Sequence, residues 1–540
     1  MKKFKKISGF IVLCLFFSTL LSAAETTILK NAAIYLPDGS FQKDSFILLK
    51  GCKIQKTGLM KEISEEIFDN EYDLTGTFVY PAFIDPFYKG FQEEAEKEEE
   101  RDKDSKEIFG LANLDRDKRA PFEKRKFFIE KRVIDIIQIK KSTARKIIAK
   151  GFALVHVVPN KGVINGTTGV VSLISPDLSE AIMVPEKFMF LPFKTNSRNY
   201  PTTHAALMAE LKQLKEDSLY HQKMKKLQFY HETAREKYKP GLDILFPYFT
   251  GKKRFLIATK NLVEQHMVEI LKKELKIDPV LAVSSDAWRR KIPASADIIL
   301  PLRFKAPMIS RYAQMGDKLK KEAKEKIYPQ KIAAFFKAHR NISLAAPDSG
   351  DYDTLFANIR LLLKQGVLEA DIIKALTINP ARLLNIEKFT GEMKPGMLAN
   401  LIVCDKKIFE EKAKIDKMFV EGKLFDFKTR VGAGKPPVTD LTGNWKVKIE
   451  SPMGGYQVKM ILEQEGNDLS GTLSSPMGSG AMDIEEGYIS ADEISFSFTI
   501  DMGNRQMTVE VSGKVKGKRI AGTMSLGSFG EGTFVATPDM

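Results

Sequence analysis

The fold is decided by the stretch Gly76-Thr-Phe-Val-Tyr-Pro-Ala-Phe-Ile-Asp-Pro-Phe-Tyr-Lys-Gly90. An apolar run leaves a polar turn, is interrupted at Pro81 and ends at Ile84-Asp85. A short apolar segment bounded by turn residues is typical of a strand that is buried on both faces, as in a parallel sheet. The stretch therefore predicts the first strand of an α/β domain, with Phe87 and Lys89 at its carboxyl end.

Downstream of this strand, apolar segments alternate with helical patterns over residues 81–395. This alternation predicts a parallel sheet, and the length suits a (β/α)8 TIM barrel with insertions. Further strands are predicted to begin at Phe152, Gly169, Phe255, Pro279, Asp297 and Ile342. Helices are predicted over 205–218, 262–275, 329–338 and 354–365. The apolar run Phe188–Phe193 is interpreted as core.

The two flanks of the barrel segment are strand-like. Residues 25–80 alone are too short to bury a sufficient core, so strands from 396–428 are expected to join them in a small composite β-sandwich. A linker over 429–440 precedes residues 441–540, where short alternating strands recur at near-regular spacing. This pattern predicts an antiparallel β-barrel or sandwich. We interpret that domain as a filled packing module, with ligand binding as the alternative.

The opening stretch resembles the first barrel strand of the amidohydrolase superfamily, Pro-Gly-hydrophobic-Ile-Asp-x-His-x-His. Pro81, Phe83, Ile84 and Asp85 fit this pattern, and Ala82 replaces the glycine. Gly391–Val403 resembles the superfamily's signature for the chain leaving the barrel. Three further segments resemble a degenerate branch near the imidazolonepropionase-like amidohydrolases: Gly151–Val171, Tyr200–Met208 and Asp297–Leu302. The C-terminal domain resembles the loosely lipocalin-like β-domains appended to some exported amidohydrolases. The resemblance implies a hydrolase of carbon–nitrogen bonds other than peptide bonds.

The resemblance also implies a site for zinc or another divalent metal, but most family ligands do not carry over. The two histidine positions of the first strand hold Phe87 and Lys89, and the segments 257–259 and 283–285 contain no histidine. Only Asp348 matches a family position, as ligand and catalytic base, with a turn or cap aspartate as the alternative. No cofactor is therefore expected unless the protein is active.

Three functions follow as hypotheses. The first is a degenerate amidohydrolase, a pseudoenzyme that binds a small ligand or is the partner of an active paralogue. The second is a divergent metal-dependent hydrolase with a reduced site, in which Asp348 and either His156 or Lys89 hold one ion. The third is a ligand- or protein-binding module centred on the C-terminal β-domain.

Residues 1–24 have the basic start, apolar centre and small-residue end of a signal peptide. We therefore expect a periplasmic or secreted protein with no membrane span after cleavage.

The net charge of +15 is spread over Lys/Glu mixtures, which argues against nucleic-acid binding. Beyond the signal, Cys52 and Cys404 allow one disulfide, with buried free thiols as the alternative. The acidic insert 92–126 is interpreted as a solvated loop, or else as a cover of the active site.

Overall fold

The computed structural model describes residues 25–63, 67–92, 127–195, 201–230, 240–284, 286–304, 328–427, 436–451, 454–474, 481–501, 506–526 and 530–539. The predicted signal peptide, nearly all of the acidic insert and the first part of the linker lie outside these residues.

The strands of the first 427 residues belong to a flanking sheet and a barrel. They are β1 (Thr26–Tyr35), β2 (Phe41–Lys50), β3 (Lys53–Leu59), β4 (Asn70–Asp73), β5 (Phe78–Pro81), β6 (Phe83–Tyr88), β7 (Phe152–Val157), β8 (Gly169–Ser172), β9 (Ile182–Val184), β10 (Met189–Leu191), β11 (Phe255–Ala258), β12 (Val280–Ala282), β13 (Ile298–Pro301), β14 (Ile342–Ala345), β15 (Leu401–Cys404), β16 (Ile415–Val420) and β17 (Lys423–Asp426).

The helices lie between the barrel strands or follow them. They are α1 (Lys141–Ile148), α2 (Leu178–Ala181), α3 (His204–Tyr230), α4 (Pro240–Phe249), α5 (Leu262–Leu275), α6 (Tyr328–Ala338), α7 (Tyr352–Lys364), α8 (Glu369–Leu376) and α9 (Ile378–Leu384). The four predicted helices correspond to α3, α5, α6 and α7. Helix α5 has the predicted bounds because Asn261 caps its first turn by accepting a hydrogen bond from the Glu264 N–H (3.0 Å).

Strands from both flanks form one hydrogen-bonded sheet in the order β17-β16-β15-β5-β1-β2-β3, with β4 also paired to β1. The flanks meet where β15 pairs antiparallel with β5, so that Leu401 lies opposite Pro81. Leu29 and Ile47 from the N-terminal flank and Leu401 and Phe419 from the C-terminal flank pack in one fully buried cluster. Each flank therefore supplies apolar surface that the other needs in order to be buried.

The barrel contains two runs of parallel strands. Strand β6 pairs with β7, and β10, β11, β12, β13 and β14 pair in sequence order. Strand β14 lies beside β6 and brings the two ends together. The core of the barrel includes Phe152 and Leu154 of β7 and Leu256 of β11, none of which is exposed.

The prediction of an all-parallel barrel is wrong at one place. The segment predicted as a parallel strand at Gly169 is β8, which runs antiparallel to β7. The residues just before it pair antiparallel with β10, since the Asn165 N–H donates to the Phe190 carbonyl (3.0 Å). The short loop between β7 and β8 has no crossover helix, and a parallel return requires about a dozen residues or more. Phe188–Phe193, interpreted only as core, contains strand β10.

Gly166 makes this antiparallel segment possible. Its φ is +89°, and a Cβ atom there would lie 2.1 Å from the Lys131 carbonyl oxygen. Only glycine combines this backbone conformation with so close an approach. The segment from Asn165 to Ser172 thus lies between β7 and β10 and fills the place that a parallel strand would take.

The C-terminal strands form a closed antiparallel barrel. They are β18 (Gly443–Ser451), β19 (Gly454–Glu465), β20 (Asp468–Ser474), β21 (Ala481–Asp483), β22 (Glu485–Ser490), β23 (Glu493–Asp501), β24 (Gln506–Lys516), β25 (Arg519–Ser525) and β26 (Glu531–Pro538). The order β19-β18-β26-β25-β24-β23-β22-β20 closes because β20 also pairs with β19. Strand β22 is in this ring but was not predicted.

Inward side chains fill the C-terminal barrel. Along β18, Trp445, Val447 and Ile449 are buried while the residues between them are exposed, as the period of two requires. Together with Val509 and Phe534 they belong to one apolar cluster. This cluster agrees with the interpretation of a packed module.

The C-terminal barrel contacts the first barrel through exposed ion pairs. Lys146 of α1 lies 2.5 Å from Glu465, and Lys141 lies 2.9 Å from Asp483.

Cys404 is buried in β15, whereas Cys52 is exposed, and the two are free thiols. The proposed disulfide is therefore absent, and the alternative of two buried thiols is wrong for Cys52. No helix within the described ranges is long and apolar enough to cross a bilayer.

Candidate functional site

A cavity of about 500 Å³ opens where the parallel strands of the barrel end. We call it the barrel mouth. It is lined by residues at or just beyond the carboxyl ends of β6, β10, β11, β12, β13 and β14: Phe87, Lys89, Pro192, Ala258, Thr259, Lys260, Ala282, Val283, Ser284, Asp286, Pro301, Arg303, Ala346, Pro347, Asp348 and Ser349. This end is where α/β barrels carry their sites, because loops from several strands converge there.

Phe87 and Lys89 both face the barrel mouth. The Phe87 ring packs edge-on against Phe190 of β10, with the ring centroids 5.7 Å apart. The Lys89 ammonium group lies over the Phe87 ring, 5.1 Å from its centroid. The Lys89 N–H donates to the Ser349 hydroxyl oxygen (2.9 Å), which fixes the end of β6 to the loop after β14. The first-strand positions thus present an aromatic ring and an amine.

Asp348 lies on the same loop and forms an ion pair with Arg303. Its side chain is 71% exposed, whereas that of Arg303 is only 25% exposed. The same nitrogen of the guanidinium, Nη2, also donates to the Pro347 carbonyl (3.0 Å). The nearby helix cap is Asp351, whose carboxylate accepts a hydrogen bond from the Thr354 N–H (3.2 Å) at the start of α7. Asp348 is therefore not the cap of α7.

The electrostatics of the barrel mouth are visible at Lys89. Solvent reaches the Lys89 side chain through the open side of the cavity, while residues that line the cavity cover the rest of it. This partial desolvation lowers the pKa of Lys89, and the positive charges of Lys260 and Lys194 lower it further. Asp348 acts in the opposite direction and only partly offsets the repulsion.

Beneath the barrel mouth lies a second group of polar residues, the buried polar cluster of Asp85, His156, Thr168 and Tyr352. Asp85 accepts hydrogen bonds from the Tyr352 hydroxyl and from the Phe87 N–H, both at 2.9 Å. Burial raises the pKa of Asp85 to about 6, and the two hydrogen bonds limit this rise. The carboxyl group holds the backbone that carries Phe87 into the mouth.

His156 has both ring nitrogens occupied. Its Nδ1–H donates to the Pro86 carbonyl (2.7 Å), and Nε2 accepts from the Thr168 hydroxyl (2.7 Å). Burial lowers the pKa of His156 to about 4, so the ring is neutral at pH 7. The hypothesis that His156 and Asp348 hold an ion therefore finds no free imidazole nitrogen, whereas Lys89 and Asp348 do line the same cavity.

The residues of the barrel mouth do not fit a metal centre. No group of three or more His, Cys, Asp or Glu side chains converges anywhere in the part of the chain that the structure describes. None of the residues lining the mouth is a histidine. A catalytic zinc site needs about three nitrogen, oxygen or sulfur ligands, and two separated aspartates beside lysine and arginine do not supply them.

Sequence reasoning missed Lys260 and Arg303. Each follows a buried strand within two residues of its end, Ala258 for β11 and Pro301 for β13. The signal in the sequence was the position of each basic residue just after a strand, because residues that follow parallel strands meet at one edge of a barrel.

Two bulky residues beside the barrel mouth have left-handed backbone conformations. Phe91 has a φ of 64° and Phe193 a φ of 41°. Such conformations are costly for aromatic residues and persist where the surrounding structure imposes them. Phe193 is fully buried and stacks on His204, with the ring centroids 5.4 Å apart. This contact orients the chain just after Pro192, which lines the mouth.

The barrel and its composite flanking sheet have the architecture of the amidohydrolase fold. An amidohydrolase from Thermotoga maritima MSB8 superimposes with a TM-score of 0.58 over 74% of this chain and 100% of its own, at 17% identity. Residues 314–425 match the family model described as the amidohydrolase family.

Weaker structural matches include phenylurea hydrolase B (TM-score 0.41, 14% identity, 74% of this chain and 97% of that one). A putative prolidase from Bifidobacterium longum has a TM-score of 0.40 at 12% identity, covering 75% and 95%. No curated protein matches the sequence. The similarity to the Thermotoga maritima structure shows the fold of this portion of the chain and says nothing of its chemistry.

Proposed function

We propose that this protein is a ligand-binding pseudoenzyme of the amidohydrolase fold, in which the barrel mouth binds a small molecule without metal-dependent hydrolysis. The observation that carries the proposal is the pair Phe87 and Lys89 at the end of β6. An aromatic ring and an amine stand where the resembled family has its first two metal ligands, and both face the cavity.

The remaining family position supports the same function. Asp348 forms an ion pair with Arg303, so this carboxylate already has a cationic partner from the protein itself. Association with an active amidohydrolase is a second part of the proposal, motivated by the sequence resemblance alone. The left-handed backbone of Phe193 is a costly conformation in the chain just after Pro192, which lines the mouth.

Metal content tests this proposal. The protein, produced in medium supplemented with zinc and manganese, is dialysed without chelator and measured by elemental mass spectrometry. We expect well below about one equivalent of any divalent metal, because structural and catalytic metal sites require three or more ligands. About one equivalent or more of a metal that survives dialysis would overturn the proposal.

A double variant sharpens the measurement. Phe87→His with Lys89→His restores the two histidines of the first strand. We expect this variant also to bind metal substoichiometrically, because the ends of β11 and β12 supply Thr259 and Ser284 rather than histidines. Stoichiometric metal in the double variant would show that further ligands are present, and the wild-type lysine and phenylalanine would then be the only barrier to a metal centre.

A further inference from the structure

The barrel mouth carries an excess of positive charge. Lys89, Lys260 and Arg303 line it, against Asp286 and Asp348. The Arg303–Asp348 ion pair neutralises one charge of each sign. Neither Lys89 nor Lys260 forms an ion pair with a carboxylate among the residues that the structure describes. Two lysines are thus brought to one concave surface without a carboxylate partner at contact distance.

This arrangement costs free energy. Like charges that face one cavity repel each other, and the low-dielectric walls weaken the screening that water would provide. Burial lowers the pKa of Lys89, and the repulsion from Lys260 and Lys194 lowers it further. An anion placed between these cations would relieve the repulsion, so the site favours negatively charged ligands.

Arg303 points to the geometry of that anion. Its Nη2 group donates to the Pro347 carbonyl and also faces Asp348 Oδ2. Asp348 is mostly exposed, so water can solvate its carboxylate at little cost once the pair opens. The guanidinium therefore already faces a carboxylate, and a carboxylate from outside can take the place of Asp348 beside it.

The rest of the lining suits an apolar ligand body. Phe87, Pro192, Val283 and Pro301 contribute apolar surface around the charged groups. The cavity volume of about 500 Å³ lies within the usual range for small-molecule sites. An inorganic ion alone would leave most of this surface in contact with water.

We infer that the barrel mouth binds a small organic carboxylate, that Arg303 exchanges the Asp348 carboxylate for that of the ligand, and that Lys89 is the second cationic contact. The inference rests on the proposed ligand-binding function of the same cavity. It adds a chemical class of ligand and assigns opposite roles to two residues of one ion pair: Arg303 receives the ligand, and Asp348 competes with it.

The test is calorimetric titration of the full chain with 3-phenylpropanoate, octanoate and succinate, each compared with its amide. Inorganic phosphate is the third arm. We expect at least one carboxylate to bind with a Kd in the range of about 1 μM to 1 mM, its amide to bind at least about tenfold more weakly, and added salt to weaken binding. No binding by any of the three carboxylates, or equal binding by an amide, would overturn the inference. Phosphate binding as tight as the best carboxylate would do so too.

Variants separate recognition from general destabilisation. Arg303→Gln is expected to weaken carboxylate binding about tenfold or more, with Arg303→Lys intermediate, because the ammonium keeps the charge but loses the fork. Asp348→Asn is expected to tighten binding several-fold, since the competing carboxylate is removed. A merely structural role for Asp348 would give unchanged or weaker binding, which would contradict the exchange.

Arg132→Gln is the matched control. Arg132 pairs with the exposed Asp135 at 2.7 Å and does not line the mouth, so its loss should leave the Kd unchanged. An equal effect of Arg132→Gln and Arg303→Gln would indicate binding to surface arginines and would overturn the inference. Stoichiometric metal in the purified protein would defeat the proposed function without affecting these titrations, so the two failures are distinguishable.

Discussion

The buried polar cluster and the barrel mouth meet at strand β6, which carries Asp85 of the cluster and Phe87 of the mouth, yet the polar groups of the two regions have different kinds of partner. In the buried polar cluster, Asp85 accepts two hydrogen bonds and both ring nitrogens of His156 are engaged. In the mouth, Lys89 and Lys260 have no carboxylate at contact distance in the described structure, and the carboxylate that pairs with Arg303 belongs to the mostly exposed Asp348.

This difference separates structure from function. Buried polar groups must be hydrogen-bonded within the protein, because leaving one unpaired costs about 1–3 kcal/mol. Charged groups in an open cavity need no partner within the protein, because water solvates them and a ligand can replace that water. The shifted pKa values of Asp85 and His156 are therefore consequences of burial in a satisfied network, whereas the pKa of Lys89 is lowered by burial and also by the charges of Lys260 and Lys194.

The largest expected effect comes from breaking the buried polar cluster. Asp85→Ala leaves the Tyr352 hydroxyl and the Phe87 N–H without their acceptor and opens a small void, so we expect a loss of about 3 kcal/mol in the free energy of unfolding. Chemical denaturation of the barrel measures this loss. Asp348→Ala in the mouth is the control and should change stability by less than about 1 kcal/mol. Equal losses in the two variants would remove the distinction between the regions.

The pH dependence of stability gives the next largest effect. The pKa of Asp85 is raised from 3.8 to about 6 in the folded state, so its contribution to stability falls as pH rises from about 4 to about 6. The pKa of His156 is lowered from 6.5 to about 4, so its contribution rises over nearly the same interval. Each displacement of about two pH units corresponds to about 3 kcal/mol, and in the wild type the two oppose each other.

Single substitutions of Asp85 and His156 separate their two contributions to the pH dependence of stability. Relative to the wild type, Asp85→Asn should become more stable as pH rises from 4 to 6.5, and His156→Asn less stable. Other titrating groups contribute equally to wild type and variant, so the difference in unfolding free energy isolates each residue. Parallel pH profiles for all three proteins would show that neither group titrates as its burial requires.

The buried framework was largely predictable from the sequence, because burial imposes a pattern. The run ending at Ile84-Asp85 predicted β6. The helical spacing of Leu355, Ile359, Leu362 and Leu363 predicted an apolar face of α7, and the first three are fully buried while Leu363 is partly buried. The alternation of Trp445, Val447 and Ile449 predicted a strand of the C-terminal barrel. These features depend on local periodicity, which the sequence displays directly.

The failures occurred where long-range geometry decides the outcome. The Gly169 segment has the composition of a parallel barrel strand, but its direction is set by the short loop before it and by the close approach at Gly166. Asp348 was predicted as a site candidate, whereas its partner Arg303 was not, because the 45 residues that separate them give no signal of their contact. Open sites have no obligatory pattern of their own.

A smaller effect is expected from the amine of Lys89. Because the folded state lowers its pKa, the charged form is disfavoured on folding, and the unfolded chain binds the proton more tightly. Lys89→Gln should therefore stabilise the protein at pH 7 by up to about 1 kcal/mol, the scale of exposed charge interactions. This gain should shrink as pH rises towards 10.5 and at high salt. Thermal unfolding at several pH values measures it, and destabilisation by the variant would contradict the assignment of unrelieved repulsion.

The smallest effect should distinguish two ion pairs that look alike. Lys146 and Glu465 join the two barrels at 2.5 Å, with side chains 41% and 82% exposed, and a double-mutant cycle should give a coupling of about 0.5 kcal/mol or less. Arg303 and Asp348 should give a similarly small coupling to stability, because Asp348 is equally accessible to water. When the same two double-mutant cycles are measured by carboxylate affinity, the two pairs should differ. Substitution of Arg303 should weaken binding, substitution of Asp348 should tighten it, and the two effects should be strongly coupled. Substitutions of Lys146 and Glu465 should leave the affinity unchanged. A large stability coupling between Arg303 and Asp348 would mean that the pair is structural, and the mouth would then belong with the buried polar cluster rather than stand in contrast to it.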